Sequence, residues 1–530
     1  MGEPTEHRTL FADPVPQPIP SDLSKQTSNE HQQLTHSHYY KGSWSLWLIL
    51  AGVATTLGSS LPMGFHIGVV NTPAEVIKSF CSESLLSRYD VSLNERWLNV
   101  LWSCIVSIFI IGGCTGSVLG AVLANKLGRR KATIVTSQLS LVGALLFVFC
   151  RAAKSVEMLI LGRLIVGLAG GLTTSIVPMY LSELAPLSLS GTMGVACPMG
   201  VNVGVLVGQI MGLKFILGGD DDWPYLLSVY ALLVIICLPL LFMLPESPKY
   251  LFVVKRNEQT ALKELSRLRG VSASILTEDV EKLREELRAA QAQAVNSEQW
   301  TMMRVLLDPQ LRLPLLLVCS MQAGQQTSGI NAVFYYSQTI FKQAGLSELS
   351  SQYATIGCGA VNVCTALLML RLLPRVGRRP LLLCSVLASA VILTALAATM
   401  SYLHVAGMSC VCMAAVLGYV LAYGFGLGPI PYFIASEIFE VAPRPAGMAW
   451  GSLANWGGNF LIGMCFPLMR DTMGPFSFLV FAGITALLFV FQKLYFPETA
   501  GKTPTKVAAL CNRGFRSRPT RLFEPELSRV

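Results

Sequence analysis

Roughly twelve apolar stretches, each long enough to cross the ~30 Å hydrocarbon core of a bilayer, constrain this chain more than any other feature. They lie near 44–70, 97–124, 132–150, 157–181, 191–213, 223–244, 313–340, 352–374, 380–400, 409–436, 446–468 and 474–495. Inside lipid every backbone N–H and C=O must find a partner within its own segment, so stretches of this length are read as helices. Composition agrees: 52% of residues are hydrophobic and only 13% charged, where a soluble protein carries about a quarter charged residues. The expected class is an all-α polytopic membrane protein.

The chain is also written twice. NKLGRRKA at 125–132 is echoed by PRVGRRPL at 374–381, PMYLSELAP at 178–186 by PYFIASEIFEVAPRP at 431–445, and PESPKYL at 245–251 by PETAGKT at 497–503. A common offset of about 250 residues predicts two six-helix bundles related by a parallel repeat, with any ligand bound between them near the membrane midplane. The expected division is a disordered tail at 1–43, a first bundle at 44–250, a linker at 251–312, a second bundle at 313–496 and a C-terminal tail at 497–530. In the linker, Val280, Leu283 and Leu287 recur at helical spacing, with Thr277 as the expected N-cap and Lys282–Glu286 and Glu285–Arg288 as expected pairs.

Basic residues mark one side. Lys126, Arg129, Arg130 and Lys131 follow the second stretch, and Arg371, Arg375, Arg378 and Arg379 the eighth; many more basic residues lie between the sixth and seventh stretches and after the twelfth. The positive-inside rule places these loops and both termini in the cytosol. Residues 1–43 are polar, contain Pro14, Pro16, Pro18 and Pro20, and read as a tail rather than a signal peptide. Topology accounts for the net charge of +9; no basic cluster with interleaved aromatics points to nucleic acid. Most of the 14 cysteines fall within apolar stretches, where Cys behaves as a small buried residue, and Cys81 in the first outer loop has no evident partner.

One segment is out of keeping with its surroundings. QAGQQTSGINAVFYYS, from Gln322 to Ser337, places amides at Gln325, Gln326 and Asn331 and hydroxyls at Thr327, Ser328, Tyr335 and Tyr336 inside an apolar stretch. Uncharged donors and acceptors suit a neutral polyhydroxylated ligand, and their cost in lipid directs them to protein or a water-filled cavity. For each amide the competing role is an interhelical hydrogen bond. The sequence shows no phosphate-cradling loop, no clustered metal ligands and no nucleophile with an evident base, so neither an enzyme nor a cofactor is expected.

Taken together, LGRR, PESP, GQQTSGINAVFYYS, GLGPIP, NWGGNF and PET resemble the facilitative sugar transporters of the major facilitator superfamily, over nearly all of residues 44–503. The resemblance implies that Gln325, Gln326, Asn331, Asn362 and Asn455 hydrogen-bond a sugar, with Tyr432 and Trp456 lining the cavity, and that Tyr335 and Tyr336 help close an outer gate. Arg129, Arg130, Glu183, Arg378, Arg379, Glu437 and Arg444 match an inner gate whose charges bridge the halves when the cavity opens outward. Glycines and prolines from Gly424 to Pro431 interrupt span 10, as a flexing or a static kink.

Several positions depart from that pattern. Pro198 stands where sugar-binding members carry a glutamine, Ser190 in place of an arginine, Pro374 in place of an acid, Gly424 in place of a glutamate, and Ala121 in place of the first glycine before LGRR. His66 takes the place of an asparagine or aspartate opposite Arg163, as a pH-sensitive group or a neutral stand-in. The resulting expectation is passive hexose transport by alternating access at the plasma membrane, with a sugar and the lipid bilayer as partners and no signal for an oligomeric state. A proton-coupled symporter and a sugar sensor without turnover are the other readings; the identity of the hexose is open.

Overall fold

A computed structural model describes residues 43–272, 275–295, 300–440, 443–500, 502, 504–511 and 514–516, so the expected N-terminal tail and most of the C-terminal one lie outside the described residues. Among the described residues every regular element is a helix. The first bundle contains span 1 (Leu46–Gly68), span 2 (Glu95–Leu127), span 3 (Arg129–Cys150), span 4 (Val156–Leu184), span 5 (Leu187–Met211) and span 6 (Trp223–Met243). The second contains span 7 in two pieces (Arg312–Thr327 and Ile330–Gln343), span 8 (Glu348–Val376), span 9 (Arg378–Ser401), span 10 in two pieces (Met408–Gly424 and Ile430–Ile438), span 11 (Arg444–Met473) and span 12 (Ser477–Tyr495). This is the twelve-helix, two-bundle architecture predicted from the repeats. Spans 2, 8 and 11 run to 33, 29 and 30 residues, longer than the ~20 a bilayer needs.

Small residues set the closest helix contacts. A Cβ on Gly112 or Gly116 of span 2 would sit 2.2 Å from a span-4 carbonyl, and one on Gly167 or Gly171 of span 4 would sit 2.1 or 2.0 Å from span 2. Between helices in lipid, where apolar burial gives little drive, such backbone proximity is what holds the pair together. The same device joins spans 1 and 5: a Cβ on Gly64 would lie 1.9 Å from Val201 O, and one on Gly204 2.1 Å from Leu61 O. Span 5 is thereby fixed in rotation, which matters below.

In the linker, Glu258–Arg269 and Thr277–Val295 are helical. Val280 and Leu283 are buried against Phe252 and Leu265, with Leu287 partly covered. Thr277 lies inside the helix rather than ahead of it, and Glu286 pairs with Lys249 at 3.0 Å while Arg288 reaches Glu281 at 3.4 Å. One helix of the first half was not expected, Ala74–Tyr89 in the loop after span 1, and another, Pro504–Cys511, lies in the expected C-terminal tail. The buried side of Ala74–Tyr89, made of Ile77, Cys81 and Ser84, has a helical spacing that two weakly apolar residues disguise. Loops 127–129, 376–378 and the linker share one end of the molecule, the basic end; helix Ala74–Tyr89 marks the far end.

Candidate functional site

The break in span 7 builds the site. The helix stops at Thr327 and restarts at Ile330, with Gly329 at φ +89°. A Cβ there would come 2.5 Å from the Phe481 ring, so both backbone conformation and space require glycine. The interruption brings Gln325 and Gln326, at the end of one piece, together with Asn331 at the start of the next. Gln326 Nε2 donates to Gln325 Oε1 and to Asn455 Oδ1, each at 3.2 Å, while Asn331 Nδ2 donates to Gln326 Oε1. Asn455 Nδ2 in turn reaches Gln325 Oε1 at 2.6 Å and Gln322 Oε1 at 2.8 Å.

Spans 7 and 10 are tied through the same amides. Gln325 Nε2 donates to Gly428 O at 2.6 Å and Gln322 Nε2 to Pro431 O at 2.7 Å. Gly428 lies in the gap in span 10, where the ladder is interrupted and acceptors are left over, and Pro431 just beyond it. Gln325, Gln326 and Asn331 are all buried. Such groups cost several kcal/mol unless bonded, and here they satisfy one another with contacts that sugar hydroxyls, themselves donors and acceptors, are able to replace.

Around this cluster the other expected residues take different places. Tyr432 is 56% exposed although it sits mid-bundle, directly after Pro431, whose carbonyl Gln322 holds. Trp456 is buried with its indole against span 2, 2.4 Å from where a Gly113 Cβ would stand, and closes the seam between the bundles. Asn362 does not join the span-7 network; its Nδ2 donates across the interface to Asn202 Oδ1 at 3.2 Å. The side chains of Tyr335, Tyr336, Ser190 and Pro374 lie outside the described residues.

At the basic end the repeat produces the same construction twice. Gly128 (φ +96°) and Gly377 (φ +95°) precede spans 3 and 9, and their conformation aims two successive N–H groups at one carboxylate. Arg129 N and Arg130 N donate to Glu246 at 2.9 and 3.1 Å, and Arg378 N and Arg379 N to Glu498 at 3.0 and 3.1 Å. A helix N-terminus favours negative charge there. Each first arginine then pairs within its own bundle: Arg129 with Glu183 at 2.8 Å and Arg378 with Glu437 at 3.0 Å. The second arginines hold carbonyls, Arg130 that of Leu244 at 2.9 Å and Arg379 that of Lys493 at 3.1 Å, while Arg444 holds that of Phe439 at 3.2 Å.

Among the described residues the charges of the expected inner gate therefore do not bridge the bundles in this state. Cross-bundle bonds sit mid-molecule and at the far end instead: Ser452 to Ser117 at 3.2 Å, Asn71 to Ser337 at 2.6 Å, and Lys214 to Glu348 at 2.8 Å. That hydrogen bond to Glu348 holds the Lys214 ammonium above its ordinary range. The Asn71–Ser337 and Lys214–Glu348 bonds tie the bundles together at the far end.

His66 meets Arg163, but through its main chain. Arg163 Nη1 donates to His66 O at 3.1 Å, and the guanidinium stacks 4.6 Å over Phe109. The imidazole is buried among Tyr230, Phe147, Phe65 and Phe109, its centroid 4.4 Å from the Tyr230 ring. Neither ring nitrogen has a partner among the described residues.

Residues 51–510 match the family model described as Sugar (and other) transporter. The chain belongs to the sugar transporter family. Among relatives of this sugar transporter, the human solute carrier family 2, facilitated glucose transporter member 3 is 40% identical over 461 residues, 86% of this chain and 90% of that one. The chicken (Gallus gallus) member 1 is 38% identical over 472 residues, 88% and 94% respectively. The inward open conformation of the xylose transporter XylE from E. coli superposes with a TM-score of 0.71 at 23% identity, covering 88% of this chain and all of that one. The fold is that of the major facilitator superfamily, and the protein is a transporter rather than an enzyme.

Sequence reasoning missed four contributors. Glu246 and Glu498 were legible only as repeat markers inside PESP and PET; their carboxylates act on residues more than a hundred positions away. Gln322 opened the polar segment without being assigned to the site, yet it accepts from Asn455. Asn202 left one clue, an amide one helical turn beyond Pro198.

Proposed function

We propose that the protein carries a hexose across the plasma membrane by facilitated alternating access, with the basic end and both termini in the cytosol. The observation that carries this reading is the ring of uncharged amides at the break in span 7, Gln325, Gln326, Asn331 and Asn455, tied through Gln322 to Pro431, the residue before the half-exposed Tyr432. An aromatic ring beside hydrogen-bonding amides suits a pyranose, whose C–H face is apolar and whose rim is hydroxylated.

With the far end latched, the sugar site belongs to the state open toward the cytosol. Return to the opposite state exchanges the pairs of Arg129 with Glu183 and Arg378 with Glu437 for contacts across the basic end, an equilibrium between two nearly balanced arrangements. Relatives named as facilitated glucose transporters make D-glucose the first substrate to test, with D-fructose as competitor.

Purified protein in liposomes decides it. Saturable equilibration of labelled D-glucose or D-fructose without a proton gradient is the expected result. Accumulation driven by a proton gradient replaces uniport with symport, and hexose binding without flux replaces it with a sensor.

A further inference from the structure

Span 5 packs across the interface against span 8 of the second bundle, and Pro198 leaves it without the amide that the family resemblance leads one to expect. Proline has no N–H to donate to Gly194 O, and a Cβ on Gly194 would meet nothing within 4 Å, so this level of the helix borders free space. One turn on from Pro198, on the same face, stands Asn202. Its direction follows from packing: Gly204 is pressed against span 1, and a residue two positions away points to the opposite side of the helix, toward the second bundle. There Asn202 Oδ1 accepts from Asn362 Nδ2 at 3.2 Å.

That bond leaves the Asn202 Nδ2 donors and the Asn362 Oδ1 acceptor without protein partners among the described residues. Asn202 is half-buried rather than sealed. A donor and an acceptor side by side, one from each bundle, match a single hydroxyl group, which accepts from one and donates to the other.

We propose that Asn202 is the first bundle's sugar-recognising amide, shifted one helical turn toward the far end relative to Pro198, and that with Asn362 it reads one hydroxyl of the hexose from both sides. This rests on the hexose reading above. Because the pair spans the interface, the hydroxyl it holds is gripped only when the bundles close on it, which makes Asn202 a specificity-determining residue rather than a general anchor.

The test uses full-length protein in liposomes. Wild-type flux of labelled hexose is measured first, and its absence defeats the hexose reading itself. Competition by a series of monodeoxy hexoses then identifies the hydroxyl whose removal weakens competition. Asn202→Val should erase that one penalty, about fivefold as expected for a lost hydrogen bond, and weaken the parent sugar by the same factor while leaving the other deoxy ratios unchanged. Pro198→Gln combined with Asn202→Val should restore discrimination at a different hydroxyl. Ratios that stay at wild-type values across the panel, or affinities that fall uniformly for all analogues, overturn the proposal, the second by making Asn202 a latch alone. If Asn202→Val does not reach the membrane, Asn202→Gln reads the same ratios, and an unaltered pattern there is equally fatal.

Discussion

The two basic-end clusters are copies in sequence and unequal in physics. In the first bundle Arg129 binds Glu183 through Nε at 2.8 Å and Nη2 at 3.0 Å, one to each carboxylate oxygen. In the second, Arg378 brings Nε at 3.3 Å and Nη2 at 3.0 Å to the same oxygen of Glu437. The first pair is 7% and 9% exposed, the second 21% and 22%. Ser247 and Thr499 each donate a hydroxyl to the paired acid, so the acids share that support while the pairs differ in geometry and water access. A bidentate, dry pair is a fixed strut; a wetter, single-oxygen pair is easier to exchange. The first bundle is thus the firmer half at this end, and the second the half whose arginine is readier to change partners.

That contrast breaks or sharpens under substitution. The largest effect expected is from Glu183→Gln, which leaves Arg129 buried without its counter-charge at a cost of about 3–5 kcal/mol; Glu437→Gln, with water at hand, should cost about 1–2 kcal/mol. Thermal unfolding of both variants in detergent measures this, and equal losses would dissolve the distinction between the bundles. Next comes Gln326→Ala in the mid-membrane network, where kcat/KM for hexose should fall about tenfold, roughly 1.4 kcal/mol. Unchanged flux removes Gln326 from the site.

A third test concerns the far end of the interface between spans 5 and 8. Gln209 is 1% exposed, its amide has no partner among the described residues, and its Oε1 lies 2.2 Å from where a Gly359 Cβ would stand. Gln209→Leu removes an unsatisfied group from an interface made in this state, so it should bias the protein toward this state. The expected readout is a ratio of uptake KM to efflux KM raised about fivefold; a lowered ratio contradicts it. Smallest is Lys214→Ala, less than about threefold in the same ratio because the Lys214–Glu348 pair is solvent-exposed. The raised pKa of Lys214 means its contact is complete below the ordinary lysine value near ~10.4 and is lost only as pH rises past the raised one. Varying pH from about 6 to about 9 should leave the Lys214 contribution unchanged.

Much of this was legible in the sequence, for specific reasons. The spans were, because lipid requires long uninterrupted apolar helices. The polar segment at Gln322–Ser337 was, because amides in an apolar stretch need a purpose. Helix Ala74–Tyr89 was not, since Cys81 and Ser84 weaken its apolar face. Asn202 was not either, because an amide in a span reads equally as helix-to-helix glue until its neighbour is known. The pairing of Arg129 and Arg378 within bundles rather than between them is invisible to sequence, which both conformations share.

By itself the sequence determined the twelve-helix repeat, the basic end, the GRR turns and the uncharged character of the site, all consequences of local periodicity, charge and the solvent the chain must meet. Only the tertiary structure decided which amides bond one another, that Asn362 turns to Asn202, that His66 gives Arg163 its carbonyl rather than its ring, and where bonds cross between the bundles. Those depend on the rotation and separation of helices far apart in the chain, set here by glycines that let backbones touch.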